Sequence, residues 1–129
     1  MNRFERTSRV VGATMALTIL LLAACARQTP TSPATTANAY ILPGAVNLGP
    51  NAFGDEPVVI YKGERLRWRN VDTVEHTIVA DTTALPEFKT SGVLLPGGEK
   101  SFVMTTVGTT SIHCADHPQM TGTLIVKER

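Results

Sequence analysis

Four side chains have both the chemistry and the spacing to hold one metal ion: His76, Cys114, His117 and Met120. The last three form a Cys-x-x-His-x-x-Met run, and three-residue steps on a tight loop let a thiolate, an imidazole and a thioether converge on one point. His76 comes from a distant strand and closes the set. A thiolate is a soft, strongly donating ligand, imidazoles suit copper, and a thioether makes a weak axial ligand. Two His and one Cys with an axial Met form the donor set of blue-copper electron transfer. Taken singly, each residue has a plainer reading as a strand-end histidine, a small buried thiol or a core methionine. Gathered in this order, they predict one mononuclear copper per chain.

The inventory around them is small. In 129 residues there are three His and two Cys, too few for a multinuclear metal oxidase or a four-cysteine zinc site. A formal charge of +1 with 18% charged residues gives no basic excess over the chain as a whole, so nucleic acid is not expected as a partner. The third histidine, His113, is expected to point away, because strand alternation sends Ile112 and Cys114 inward and His113 outward. Glu75 and Asp116, beside the ligands, read as solvated loop carboxylates. Asn70 and Asp72 read as caps of the turn before His76.

The elements that must position these residues begin after a leader. Arg3, Arg6 and Arg9 precede an apolar run from Val10 to Ala24, the layout of a signal peptide rather than a spanning helix. The run ends Leu22-Ala23-Ala24-Cys25, which resembles the lipobox of bacterial lipoproteins. That resemblance implies cleavage after residue 24 and lipid on Cys25. Ala26 stands where an inner-membrane retention signal would place Asp, which points to an outer membrane if the host has one. Residues 25–39 are rich in Thr, Pro, Ala and Ser and read as the lipidated Cys and a flexible tether. Without residues 1–24 the chain carries nine Lys and Arg against ten Asp and Glu, a net −1.

Residues 40–129 then form one domain of short strands. Val58 and Ile60 alternate around Val59, and Leu66 and Trp68 alternate with Arg65, Arg67 and Arg69. Thr77–Ala80, Phe102–Met104 and Thr123–Val126 are further strand-like runs, punctuated by glycines. Residues 81–98 read largely as loop, and no stretch after Cys25 carries a helical stripe. The pattern predicts an all-β domain, a sandwich or a barrel.

Two segments resemble those of small cupredoxins. Asn70-Val71-Asp72-Thr73-Val74-Glu75-His76 is similar to their first ligand region, and His113-Cys114-Ala115-Asp116-His117-Pro118-Gln119-Met120-Thr121-Gly122 to their ligand loop. The short His-to-Met spacing, the Pro after the His and the His before the Cys are most like amicyanin; plastocyanin and pseudoazurin have a longer loop. The resemblance covers roughly residues 45–127. It implies a Greek-key two-sheet sandwich of about seven or eight strands, with His76, Cys114, His117 and Met120 as type 1 copper ligands. The chain departs from the family where Thr110 and Ile112 replace aromatics before the Cys, and where Thr77 replaces the Asn that ties the ligand loops. Thr77 is expected to offer its N–H to the Cys sulfur instead.

These readings together predict a monomeric, membrane-anchored, extracytoplasmic one-electron carrier that exchanges electrons with redox proteins and catalyses no reaction by itself. The alternatives are a copper chaperone or storage protein, and a docked subunit of a membrane redox complex. Storage is disfavoured by the Met count, since two of four methionines lie in the leader.

Overall fold

Alternation of apolar and polar side chains makes strands wherever it persists, because it lets one face of a sheet meet the core while the other meets water. The computed structural model describes residues 34–54 and 56–129. The expected leader, Cys25 and most of the expected tether lie outside the described residues. Eight strands are formed: β1 (Thr36–Ile41), β2 (Val58–Tyr61), β3 (Arg65–Asn70), β4 (His76–Ala80), β5 (Thr90–Leu94), β6 (Glu99–Val103), β7 (Gly108–Cys114) and β8 (Thr121–Lys127). They build a three-stranded sheet in the order β1-β3-β6 and a five-stranded sheet in the order β2-β8-β7-β4-β5. The architecture is the expected all-β sandwich of two sheets. All eight strands and the core described below lie within Thr31–Arg129, one compact unit.

The core lies between the sheets. Trp68 is fully buried at its centre, with Phe53 edge-on at 5.6 Å between ring centroids and Phe88 at 6.1 Å. Ile60, Leu66, Ile78, Ile112 and Leu124 fill the space around it. Burying each such side chain contributes about 1.5–3 kcal/mol. Gly122 on β8 passes so close to Phe53 that a Cβ there would stand 2.7 Å from the ring. Here a glycine is required by space alone.

Three features differ from the sequence reading. β1 begins at Thr36, so residues 36–39, assigned to the tether by composition, belong to the sheet. They are held by parallel pairing with β3, from Thr36 opposite Arg65 to Ile41 opposite Asn70, and Ala39 is buried. β5 falls inside the stretch read as loop, because it pairs with β4 through an irregular register that no local alternation announces. A four-residue helix, α1 (Ala45–Leu48), follows β1 and is too short to leave a periodic stripe.

Candidate metal centre

Sheet register brings the distant ligands together. β4 and β7 pair antiparallel with Ile78 opposite Cys114, and β4 opens at His76 just as β7 closes at Cys114. Residues 76 and 78 share a face, so the His76 side chain is directed to the same end of the core as the Cys114 thiol. Both are fully buried.

The loop after β7 closes on itself. His117 N–H donates to the Cys114 carbonyl (3.3 Å), Met120 N–H to the His117 carbonyl (2.9 Å), and Cys114 N–H to the Met120 carbonyl (3.0 Å). These bonds bring His117 back over the thiol and end the loop with Met120 fully buried. The loop is tied to β4 by the Ala115 N–H, which donates to the Thr77 carbonyl at 2.8 Å. Thr77 therefore joins the two ligand segments through its C=O, where the sequence reading expected its N–H to reach the sulfur.

The donor atoms converge. Cys114 Sγ lies 3.6 Å from His76 Nδ1 and 3.7 Å from His117 Nδ1, and the three donors fall within 4.8 Å of one another. The imidazole rings are 5.1 Å apart between centroids. Separations of this size suit a single ion bonded at about 2.0–2.3 Å to nitrogen and sulfur. One thiolate, two imidazoles and a neighbouring thioether form a set softer than calcium or magnesium accepts and suited to copper. Cys114 is a free thiol. The donors thus fit one copper ion.

Behind the ligands stands a residue read from sequence only as a cap. Asp72 is buried, and its Oδ2 lies 2.9 Å from His76 Nε2. The same carboxylate accepts the N–H groups of Gly44 (2.9 Å), Ala45 (3.3 Å) and Thr73 (2.8 Å). Burial pushes the Asp72 carboxyl up, but the hydrogen bonds from His76, Gly44 and Thr73 outweigh it and hold it at about 2. An ionised carboxylate only accepts, so His76 Nε2 carries the hydrogen, and Nδ1 is the nitrogen that faces the thiol. Asn70 does cap the turn: its Nδ2 donates to the carbonyls of Val74 (2.7 Å) and Leu94 (2.8 Å), and its Oδ1 accepts from Asp72 N–H. The only sequence signal for the Asp72–His76 contact was a four-residue separation across a turn, which is weak.

The remaining site-adjacent residues stay apart from the donors. His113 turns to the outer face and meets Asp81 Oδ1 at 2.5 Å. Glu75 and Asp116 are exposed.

No protein-family model matches the sequence, and no curated protein matches it. Solved structures do match in fold. The chain is similar to a purple cupredoxin from Nitrosopumilus maritimus (TM-score 0.60, 22% identity, covering 70% of this chain and 99% of that one). It is similar to a reduced variant of amicyanin (TM-score 0.58, 17% identity, covering 76% of this chain and 87% of that one). It also matches a copper-containing nitrite reductase from Thermus scotoductus (TM-score 0.62, 21% identity), covering 73% of this chain but 23% of that one. At these identities the likeness is one of fold.

Proposed function

We propose that this chain holds one copper ion on His76, Cys114, His117 and Met120 and works as a one-electron carrier between redox proteins outside the cytoplasm. The observation that carries this reading is a buried thiol with an imidazole Nδ1 at 3.6 Å and another at 3.7 Å. Copper bound by such a set supplies one-electron chemistry, passing between its two oxidation states.

The chain's own residues supply rigidity and access. Asp72 fixes the orientation and tautomer of His76, and the Ala115–Thr77 bond together with the loop hydrogen bonds fixes the position of Cys114 and His117. Donors already placed need little rearrangement when charge changes. Burial of Cys114 keeps water and oxidants from the sulfur, while His117 is partly exposed and offers the edge at which a redox partner approaches. On this reading the chain passes electrons and catalyses no reaction of its own.

Location follows from Leu22-Ala23-Ala24-Cys25: lipid on Cys25 holds the domain at a membrane, the outer one where the host has two. Among the described residues no helix is long and apolar enough to cross a membrane. Labelling with a radioactive fatty acid in cells, lost in Cys25→Ser, tests the anchor. Repeated reduction and reoxidation of the copper-loaded protein tests the carrier role. Full retention of copper over many cycles supports a carrier, and release on reduction supports storage or delivery.

A further inference from the structure

The solvent face of the three-stranded sheet carries a row of arginines. β3 buries Leu66 and Trp68 and turns Arg65, Arg67 and Arg69 to the other face, their Cα positions about 7 Å apart along the strand. Thr36, Asn38 and Tyr40 of β1 lie opposite them on one side, and Val103, Ser101 and Glu99 of β6 on the other. Among the described residues only Arg69 has an acidic partner, Glu99 at 3.4 Å. Arg67 Nε is buried against the sheet and has no hydrogen-bond partner among the described residues. Among the described residues two cationic charges on this face therefore have no acidic partner, although Thr31–Arg129 as a whole carries eight Lys and Arg against ten Asp and Glu, net −2.

The chain enters the domain at one end of this row. The Thr35 carbonyl accepts the Arg65 N–H at 2.9 Å, so the ten residues 26–35 separate Cys25 from the first strand. Ten residues reach at most about 35 Å when extended and about 17 Å as a flexible coil. At its other end β3 leads through Asn70 into the turn that carries Asp72 and His76.

We propose that this arginine face docks on anionic phospholipid, the guanidinium groups of Arg65 and Arg67 taking headgroup phosphates. A row beginning at the root of the tether lies within reach of the surface that lipid on Cys25 would provide. Docked so, the domain lies along the membrane with its metal end at the far end of the row. The proposal rests on the lipid-anchor reading and leaves the copper reading untouched.

The test uses residues 31–129, the whole compact unit, sedimented at low salt with vesicles of phosphatidylcholine alone or with about one third phosphatidylglycerol. Binding is expected to the anionic vesicles alone, to fall as salt rises, and to weaken roughly five-fold in each of Arg65→Gln and Arg67→Gln. Lys127→Gln, on the five-stranded sheet, is expected to bind as the unsubstituted segment does, and urea unfolding checks that each variant is folded. Equal binding to both vesicles, no binding, or indifference to the arginine substitutions overturns the proposal. Binding to polyglutamate but not to vesicles overturns it in favour of an acidic protein. The segment lacks Cys25, so failure of acylation in cells and failure of the arginine face are read separately.

Discussion

His76 Nε2 and Asp72 Oδ2 lie 2.9 Å apart in the protein interior, on the side of the imidazole opposite the Cys114 sulfur. The pair reaches beyond the metal centre, because Asp72 also accepts the N–H groups of Gly44 and Ala45 at the start of α1. The segment after β1 is thereby connected to a ligand that opens β4. Asp72→Asn removes the charge and allows Nδ2 to face the imidazole. Copper affinity is expected to fall roughly 10- to 100-fold. The midpoint potential is expected to rise, since a nearby anion favours the more highly charged oxidised ion. Competition titration and spectroelectrochemistry read the two effects. Wild-type affinity with wild-type potential would show that the pair only packs.

Asn70 holds the turn that delivers His76. Its amide satisfies the carbonyls of Val74 and Leu94, and the side chain is 1% exposed. Asn70→Ala leaves two carbonyls and the Asp72 N–H without their partner. Each orphaned buried group costs about 1–3 kcal/mol, so a loss of at least about 2 kcal/mol is expected in urea unfolding. A change below about 0.5 kcal/mol would mean that water replaces the amide without cost.

Gly122 tests the packing between the five-stranded sheet and Phe53. A Cβ at this position meets the Phe53 ring and Glu56 Oε2, both at 2.7 Å. Glu56 is exposed and can swing aside, but Phe53 is held edge-on against Trp68. Gly122→Ala is expected to destabilise by about 1–3 kcal/mol, the range for overpacked cores. Stability equal to the parent would contradict the close approach.

Glu87 makes stability depend on pH. Burial pushes its carboxyl up, while hydroxyl hydrogen bonds from Thr105 and Thr106 and the Thr105 N–H more than offset this and hold it at about 2, below its usual 4.5. A carboxyl depressed in the folded state stabilises fully above its unfolded pKa and loses that contribution as pH falls through its folded pKa. The gap in Tm between the metal-free protein and its Glu87→Gln variant is therefore expected to be full above pH 4.5 and to narrow as pH falls toward 2. A gap independent of pH would assign the contact no electrostatic weight.

The strands that alternate strictly were legible in the sequence. Leu66 and Trp68 against Arg65, Arg67 and Arg69 set β3, and the Cys-x-x-His-x-x-Met spacing marked the loop that the structure closes over the thiol. What escaped depends on partners far along the chain. Thr36–Ala39 look like a tether because their order comes from pairing with β3, and Thr90–Leu94 look like loop because β5 is an edge strand with an irregular register. Asp72 looks like a turn cap because its reach to His76 depends on the three-dimensional path of the turn. The arginine row was visible as a polar face, yet its cationic character emerges only when the neighbouring strands prove nearly free of acids.

The central claim is a copper ion bound by the Cys114 thiolate between two imidazoles. Adding Cu(II) to residues 26–129 and recording visible and electron paramagnetic resonance spectra tests it most directly. The expected result is a coloured protein with intense thiolate-to-copper absorption and narrow copper hyperfine splitting, lost in Cys114→Ala and kept in His113→Ala. A colourless protein, or an ordinary square-planar Cu(II) spectrum that survives Cys114→Ala, would contradict it.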